Sequence, residues 1–392
     1  MQPPVSRRQF LQGASALGAA AVVGACTSSG ESANPTTTTA PKGPTADGTL
    51  VVITLYGGND ALNTVAPVND ARYRALRGDL ALDPATTHDL GEGFALHPSL
   101  ARCKDLWDRD QLAVVHGVGF GTLDRSHFHC MDVWQAGSED DTSTGWIGRW
   151  LDAVATGPLD AIAVGRGLPL IARGAHRAAS VVPPGPFVLP GDDALRELLA
   201  TLSGKDAGRS DLGDLAARST GDLLTVAATV SPLVADSPES ETLAARLDTV
   251  ATLIDSELPA RAYLVDLGGF DTHSAQAADH ARLLGELDSA LGAFLDRTAT
   301  KPVTVLVYSE FGRRVEPNAS AGTDHGQAGT VLLAGKVRAG HHGDPPPLDR
   351  LADGDLATTV DLRAVYAAVL EGVLGIEAAD VLERPPAALT LV

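Results

Sequence analysis

Residues Thr49–Tyr56 place Leu50, Val51, Val52, Ile53 and Leu55 in almost unbroken succession. Such a run lacks the in–out alternation of a strand with one wet face, so both of its faces must be covered. It stops at a polar turn, Gly57-Gly58-Asn59-Asp60. The pattern recurs at 112–116, ending in Gly117-Val118-Gly119, and at 262–267, ending in Gly268-Gly269-Phe270-Asp271. It recurs again at 303–308, ending in Ser309-Glu310-Phe311-Gly312, and residues 331–333 form a shorter fifth run. Helical spacing fills intervening stretches at 194–202, 240–257 and 275–297, and 362–373 forms a late helix of good propensity. Strands alternating with helices predict an α/β fold with a mostly parallel central sheet and helices on both faces. In such sheets ligands sit at the carboxyl ends of the strands, which is where the polar residues cluster here. Residues 168–190 and 340–347 are rich in Pro and Gly and read as loops. Regular periodicity resumes after each, so 49–392 reads as one domain.

The first 48 residues do not belong to that pattern. Arg7 and Arg8 precede Phe10 and a small, apolar run over 14–25, the layout of a twin-arginine export signal. The run is too short to anchor the chain across a bilayer. It ends Val23-Gly24-Ala25-Cys26, a lipobox arrangement in which Cys26 is acylated and becomes the mature N-terminus. Residues 27–48 are rich in Thr, Ser, Pro and Gly and cannot bury enough apolar surface to offset their ordering entropy. They read as a tether between membrane and domain. The expected address is extracytoplasmic, anchored to the membrane through lipidated Cys26.

A formal net charge of -19 disfavours a nucleic-acid partner, whose phosphates call for clustered Lys and Arg. The remaining cysteines, Cys103 and Cys130, form no CxxC motif, which argues against a thiolate zinc site. They either pair as a disulfide in an oxidising compartment or fill the core as two small buried residues.

Three strand-end clusters carry candidate chemistry. Asp60 follows the first strand, Asp271 and His273 follow the third, and Glu310 follows the fourth, with Asp324-His325-Gly326 shortly after. Carboxylates and imidazoles converging on one sheet edge suit divalent metals, zinc among them. Each residue also has a plain reading. Asp60 and Asp271 fit turns, because Asp bonds local backbone groups. His273 fits an exposed loop, Glu310 a pair with Arg313, and Asp324-His325 a polar loop. Arg313 and Arg314 offer an alternative counter-charge.

Taken together, the motifs resemble the DUF1501 family of exported bacterial proteins, placed with the alkaline phosphatase and sulfatase superfamily. The resemblance rests on Gly57-Gly58-Asn59-Asp60, Arg125-Ser126-His127-Phe128 with Met131-Asp132 and Trp134, and Gly145-Trp146-Ile147-Gly148-Arg149. It rests also on Gly269-Phe270-Asp271-Thr272-His273, Ser309-Glu310-Phe311-Gly312-Arg313 and Gly322-Thr323-Asp324-His325-Gly326. These motifs span about 49–335.

The resemblance implies an alkaline phosphatase-like fold, two metal ions and a nucleophile at a helix N-terminus. Ser126 would be that nucleophile, with N-cap of the following helix as its ordinary role. His127 would transfer a proton or stand as a helix-surface histidine. Asp271, His273 and His325 would hold one metal; Asp60 and Glu310 would hold the other, with Asp324 as an extra ligand and Arg313 binding the anion. The implied function is a metal-dependent hydrolase of small-molecule or polymer phosphate or sulfate esters. A surface-anchored binding protein that keeps the fold without the chemistry is the alternative. Two departures from the superfamily stand out. Glu310-Phe311 replaces its common Asp-His, and Asp271 and His273 are only two positions apart. The Cys-x-Pro-x-Arg signature of formylglycine sulfatases is absent.

Overall fold

The computed structural model describes residues 48–121, 124–189, 191–204 and 211–392. Arg7, Arg8, Cys26 and the tether up to residue 47 lie outside the described residues. The chain divides into two units, one comprising Gly43–Phe187 and Val230–Val392, the other including Val188–Thr229.

The strands in chain order are β1 (Thr49–Tyr56), β2 (Val65–Ala66), β3 (His88–Gly91), β4 (Phe94–Leu96), β5 (Leu112–Gly119), β6 (Ala161–Val164), β7 (Ser180–Val182), β8 (Ala262–Gly268), β9 (Val303–Ser309), β10 (Gly329–Gly335), β11 (Gly340–His342) and β12 (Val360–Asp361). Nine of them form one sheet in the order β11-β5-β10-β9-β1-β8-β6-β7, with β12 also pairing β5. Only β10 runs antiparallel to its neighbours, β5 and β9. Every other pairing in this sheet is parallel. The mostly parallel α/β sheet read from the sequence is therefore present. Two of its strands lie inside stretches expected to be loops: β7 within 168–190 and β11 within 340–347. Each has three residues and pairs with one neighbour, β6 or β5. Strands that short carry too few residues for periodicity to distinguish them from loop.

The helices are α1 (Ala61–Thr64), α2 (Ala71–Arg77), α3 (Ala101–Asp108), α4 (His127–Ala136), α5 (Trp146–Val154), α6 (Asp193–Ser203), α7 (Asp211–Val234), α8 (Leu243–Asp255), α9 (Gln276–Arg297) and α10 (Leu362–Val369). In the larger unit they cover both sheet faces. Leu50, Val52, Leu264, Leu306 and Leu333 pack with residues of α4, α5 and α10 in one core. The intervening Val51, Ile53, Val265, Val305 and Val307 are buried as well, and α8 packs on β6 and β8 while α3 packs on β5. This two-sided burial explains the unbroken apolar run of β1. In the other unit, α6 starts at Asp192, whose side chain accepts from the Leu195 N–H at 3.0 Å. No helix among the described residues is long and apolar enough to cross a membrane.

Of the two readings left open for the cysteines, the buried-core one describes the structure. Cys103 and Cys130 are free, buried thiols on different helices, α3 and α4. Cys103 sits where α3 meets α9, its backbone N–H donating to Asp288 at 2.8 Å, and Cys130 belongs to the main core. Each fills packing space as a small apolar residue.

Because β9, β1 and β8 are parallel neighbours, the turns after them meet at one edge. β10 is antiparallel, so the chain entering it, including Asp324 and His325, starts at that same edge. The close approach of these turns requires glycine. Gly58 has φ 76°, and a Cβ there would lie 2.3 Å from the Phe311 ring. A Cβ on Gly322 would lie 2.2 Å from the His273 carbonyl carbon.

Candidate metal centre

Three histidine rings and one carboxylate crowd together at this edge. His127, at the start of α4, places Nδ1 2.8 Å from Glu310 Oε1. An ionised carboxylate can only accept, so Nδ1 carries the proton and the Nε2 of the neutral ring is bare. That Nε2 is buried, has no hydrogen-bond partner, and lies 3.3 Å from Asp271 Oδ1. His325 repeats the arrangement. Its Nδ1 lies 2.8 Å from the Arg125 carbonyl, which also can only accept, and its Nε2 faces Asp271 Oδ1 at 3.1 Å. His273 does so a third time, with Nδ1 3.2 Å from Asp324 Oδ1 and Nε2 2.9 Å from Asp271 Oδ1. The Nε2 atoms of His273 and His325 are 2.8 Å apart.

With each ring neutral and protonated at Nδ1, four lone-pair atoms point at one another. Acceptors brought this close repel unless a cation lies beside them; Arg313 supplies one to Asp271 Oδ1, and a metal ion would supply one to the three Nε2 atoms. One donor atom each from His127, Asp271 and His325 lies within 4.8 Å of the other two, a group able to hold a metal ion. The separations of 3.1 and 3.3 Å across Asp271 Oδ1 match neighbouring ligands about 2 Å from one ion. Nitrogen and carboxylate donors suit zinc, and each imidazole has an outer partner that fixes its tautomer.

The electrostatics follow this geometry. Burial opposes ionisation of Asp271, but the Arg313 guanidinium at 2.8 Å and His325 outweigh it and bring its carboxyl down to about 2. The Glu310 hydrogen bond lifts His127 above the usual histidine value. Burial pushes His325 below it.

The second expected ligand set does not assemble. Asp60 is fully buried and caps α1, and its carboxylate is gripped by both terminal nitrogens of Arg77, one of them at 2.9 Å. Gln276 donates to the same carboxylate. Glu310 is equally occupied: Oε1 accepts from His127 and from the Gly57 N–H at 2.8 Å, and Oε2 lies 2.9 Å from Ser309 Oγ. Asp60 and Glu310 thus lie outside the His127–Asp271–His325 group, each engaged by protein partners. Asp324 meets His273 Nδ1 at 3.2 Å and accepts from Asn318 at 3.0 Å. Arg313 is no free anion clamp. Its guanidinium is fully buried and donates to the carbonyls of Gly57, Gly58, Phe270 and Thr323 as well as to Asp271.

Ser126 stands at the N-cap position of α4, half-buried, yet its side chain makes no cap hydrogen bond. Its backbone N–H donates to Asp124 Oδ1 at 2.9 Å.

A family model described as a protein of unknown function, DUF1501, matches residues 47–384. The chain belongs to the DUF1501 family. A model of the twin-arginine translocation signal matches residues 4–24, so this DUF1501 chain also carries an export signal. No curated protein matches it. Solved structures similar to it include the C-terminal periplasmic domain of EcEptC from Escherichia coli in complex with Zn, at 10% identity over 76% of this chain and 77% of that one, with a TM-score of 0.36. A protein in the alkaline phosphatase superfamily from Vibrio parahaemolyticus shows 9% identity over 88% and 69%, with a TM-score of 0.38. The lipoteichoic acid synthase LtaP from Listeria monocytogenes shows 8% identity over 87% and 75%, with a TM-score of 0.40.

Several residues around the DUF1501 site escaped the sequence reading. Arg77 neutralises Asp60 from 17 positions away. Gln276 links Asp60 to the Thr323 hydroxyl, which donates to its Oε1 at 2.6 Å, so the buried pair braces the chain just before Asp324 and His325. Nothing local marks either residue, because an arginine or glutamine on a helix is ordinarily a surface residue.

Proposed function

We propose that this DUF1501 protein is a metal-dependent hydrolase of phosphate or sulfate esters, working outside the cytoplasmic membrane and held there by acylation of Cys26. The observation that carries the reading is the convergence of three imidazole Nε2 atoms on Asp271 Oδ1, with the orphaned Nε2 of His127 among them. His127, Asp271 and His325 would hold a single divalent ion, with His273 alongside. When bound, a zinc-like ion supplies Lewis-acid polarisation of an ester oxygen and neutralises charge on the reacting group.

The chain's own residues do the remaining work. Glu310, Asp324 and the Arg125 carbonyl hold the three rings with Nε2 inward. Arg313 keeps Asp271 ionised at neutral pH. The N-terminus of α4 offers unpaired N–H groups to an anionic ester, and Ser126, its hydroxyl free of capping, is the nucleophile. The occupied carboxylates of Asp60 and Glu310 favour one ion, not two. Zinc analysis of the purified chain beside a screen of chromogenic phosphate and sulfate esters tests this. Uptake of zinc with ester turnover removed by Ser126→Ala is expected. Uptake without any turnover would replace the hydrolase with the binding-protein reading.

A further inference from the structure

Arg125 is one of the few non-glycine residues with left-handed backbone, at φ 61°. That conformation costs an L-residue free energy and persists only where its surroundings hold it. Here the hold is visible. The Arg125 guanidinium pairs with Asp355, whose side chain is fully buried, and lies 3.5 Å from Asp353. Asp355 is itself fixed in a tight turn. Backbone bonds of 2.9 and 3.0 Å join Ala352 and Asp355 in both directions, and Asp353 and Gly354 between them have φ of 53° and 80°. Arg314 Nε approaches Asp355 at 3.3 Å from the other side and braces the turn. The end result is the placement of one atom: the Arg125 carbonyl oxygen, 2.8 Å from His325 Nδ1.

We propose that Asp355 is a positioning residue for the metal centre, clamping Arg125 in its left-handed conformation so that its carbonyl fixes His325 as the Nδ1–H tautomer with Nε2 facing inward. This rests on the metal reading of the site. Asp355 acts across 230 positions of sequence and reaches His325 through Arg125. It also sets the start of α4, because Ser126 and His127 follow Arg125 immediately.

Two measurements on the full chain test the clamp. The first is the zinc dissociation constant, from competition with a chromogenic chelator. Outer-partner substitutions elsewhere typically weaken metal binding by about 10–100-fold. Asp355→Asn and Arg125→Val should weaken zinc binding by about tenfold or more. Arg125→Gly should lose less than Arg125→Val, because glycine takes the left-handed backbone freely and a β-branched residue resists it. The second is imidazole nitrogen NMR of the metal-free chain above the histidine titration range. His325 should be Nδ1–H in the unsubstituted chain and should shift toward Nε2–H in Asp355→Asn and Arg125→Val. If the unsubstituted chain binds no zinc yet the tautomer responds this way, the metal reading fails and the clamp stands. If the tautomer is unchanged in folded Asp355→Asn and Arg125→Val, the clamp is overturned. Where the unsubstituted chain does bind zinc, equal affinity in all four proteins also overturns it.

Discussion

His127 and Glu310 meet at 2.8 Å although 183 positions separate them, and their contact decides which nitrogen of the ring faces Asp271. Glu310 thereby acts on the centre through His127. Glu310→Gln should lower zinc affinity by about 10–100-fold, the usual range for an outer partner. His127→Ala and Asp271→Ala should lower it further, because they delete a donor. Bound zinc per folded chain, measured by elemental analysis and chelator competition, checks the ranking. A Glu310 variant that loses more zinc than the Asp271 variant would make Glu310 a ligand after all.

Asp60→Ala should damage the fold and spare the metal. Removing the carboxylate leaves Arg77 buried without a counter-charge, and breaking such a pair costs about 3–5 kcal/mol. Denaturant midpoints should fall accordingly, while the protein that remains folded keeps its zinc. Zinc lost in proportion to Asp60 substitution, at unchanged stability, would restore Asp60 as a ligand.

Mild acid should destabilise the protein through three histidines outside the metal cluster. Burial holds His97 to about 4, His116 to about 3 and His280 to about 4. The unfolded chain protonates them near 6.5, so it binds more protons than the native state between about pH 4 and 6.5. Stability is therefore full above about 6.5 and falls as the pH drops. Each ring contributes up to about 1.4 kcal/mol per pH unit. Asp60 works further down: Arg77 outweighs the burial penalty and depresses its carboxyl, so its contribution is lost only below the ordinary carboxylate value. Urea unfolding at pH 7, 6 and 5 reads the slope. Replacing His116 with Gln should remove about one proton from it, and a flat stability between pH 7 and 5 would exclude the effect.

Export should depend on the arginine pair. Arg7→Lys with Arg8→Lys should leave the precursor in the cytoplasm, since the pathway reads the pair. Cys26→Ser should still be exported but recovered in the soluble fraction. Fractionation decides it, and a Cys26 variant that stays on membranes through a salt wash would remove the lipid anchor from the proposal.

The sequence by itself determined the scaffold and the export signal. An eight-residue apolar run such as β1 can satisfy its backbone and bury both faces only inside a parallel sheet covered by helices, so its identity followed from composition over a few adjacent positions. The arginine pair, apolar stretch and cysteine are likewise contiguous. The carboxyl-end turns were legible for the same reason, and with them Asp60, Asp271, His273, Glu310 and His325 as candidates at one edge. What only the tertiary structure decided was the charge state and partner of each polar side chain. Asp60 and Asp271 both follow glycine-rich turns, yet one is neutralised by Arg77 and the other faces three imidazoles. His127 reads locally as a helix-surface residue, and it becomes a candidate ligand because Glu310 accepts the hydrogen bond from its Nδ1 and leaves Nε2 facing Asp271. Whether a carboxylate is free, paired or holding a histidine depends on atoms within about 3 Å of it. Those atoms come from turns and helices tens to hundreds of residues away, brought together by strand order, which no local pattern encodes.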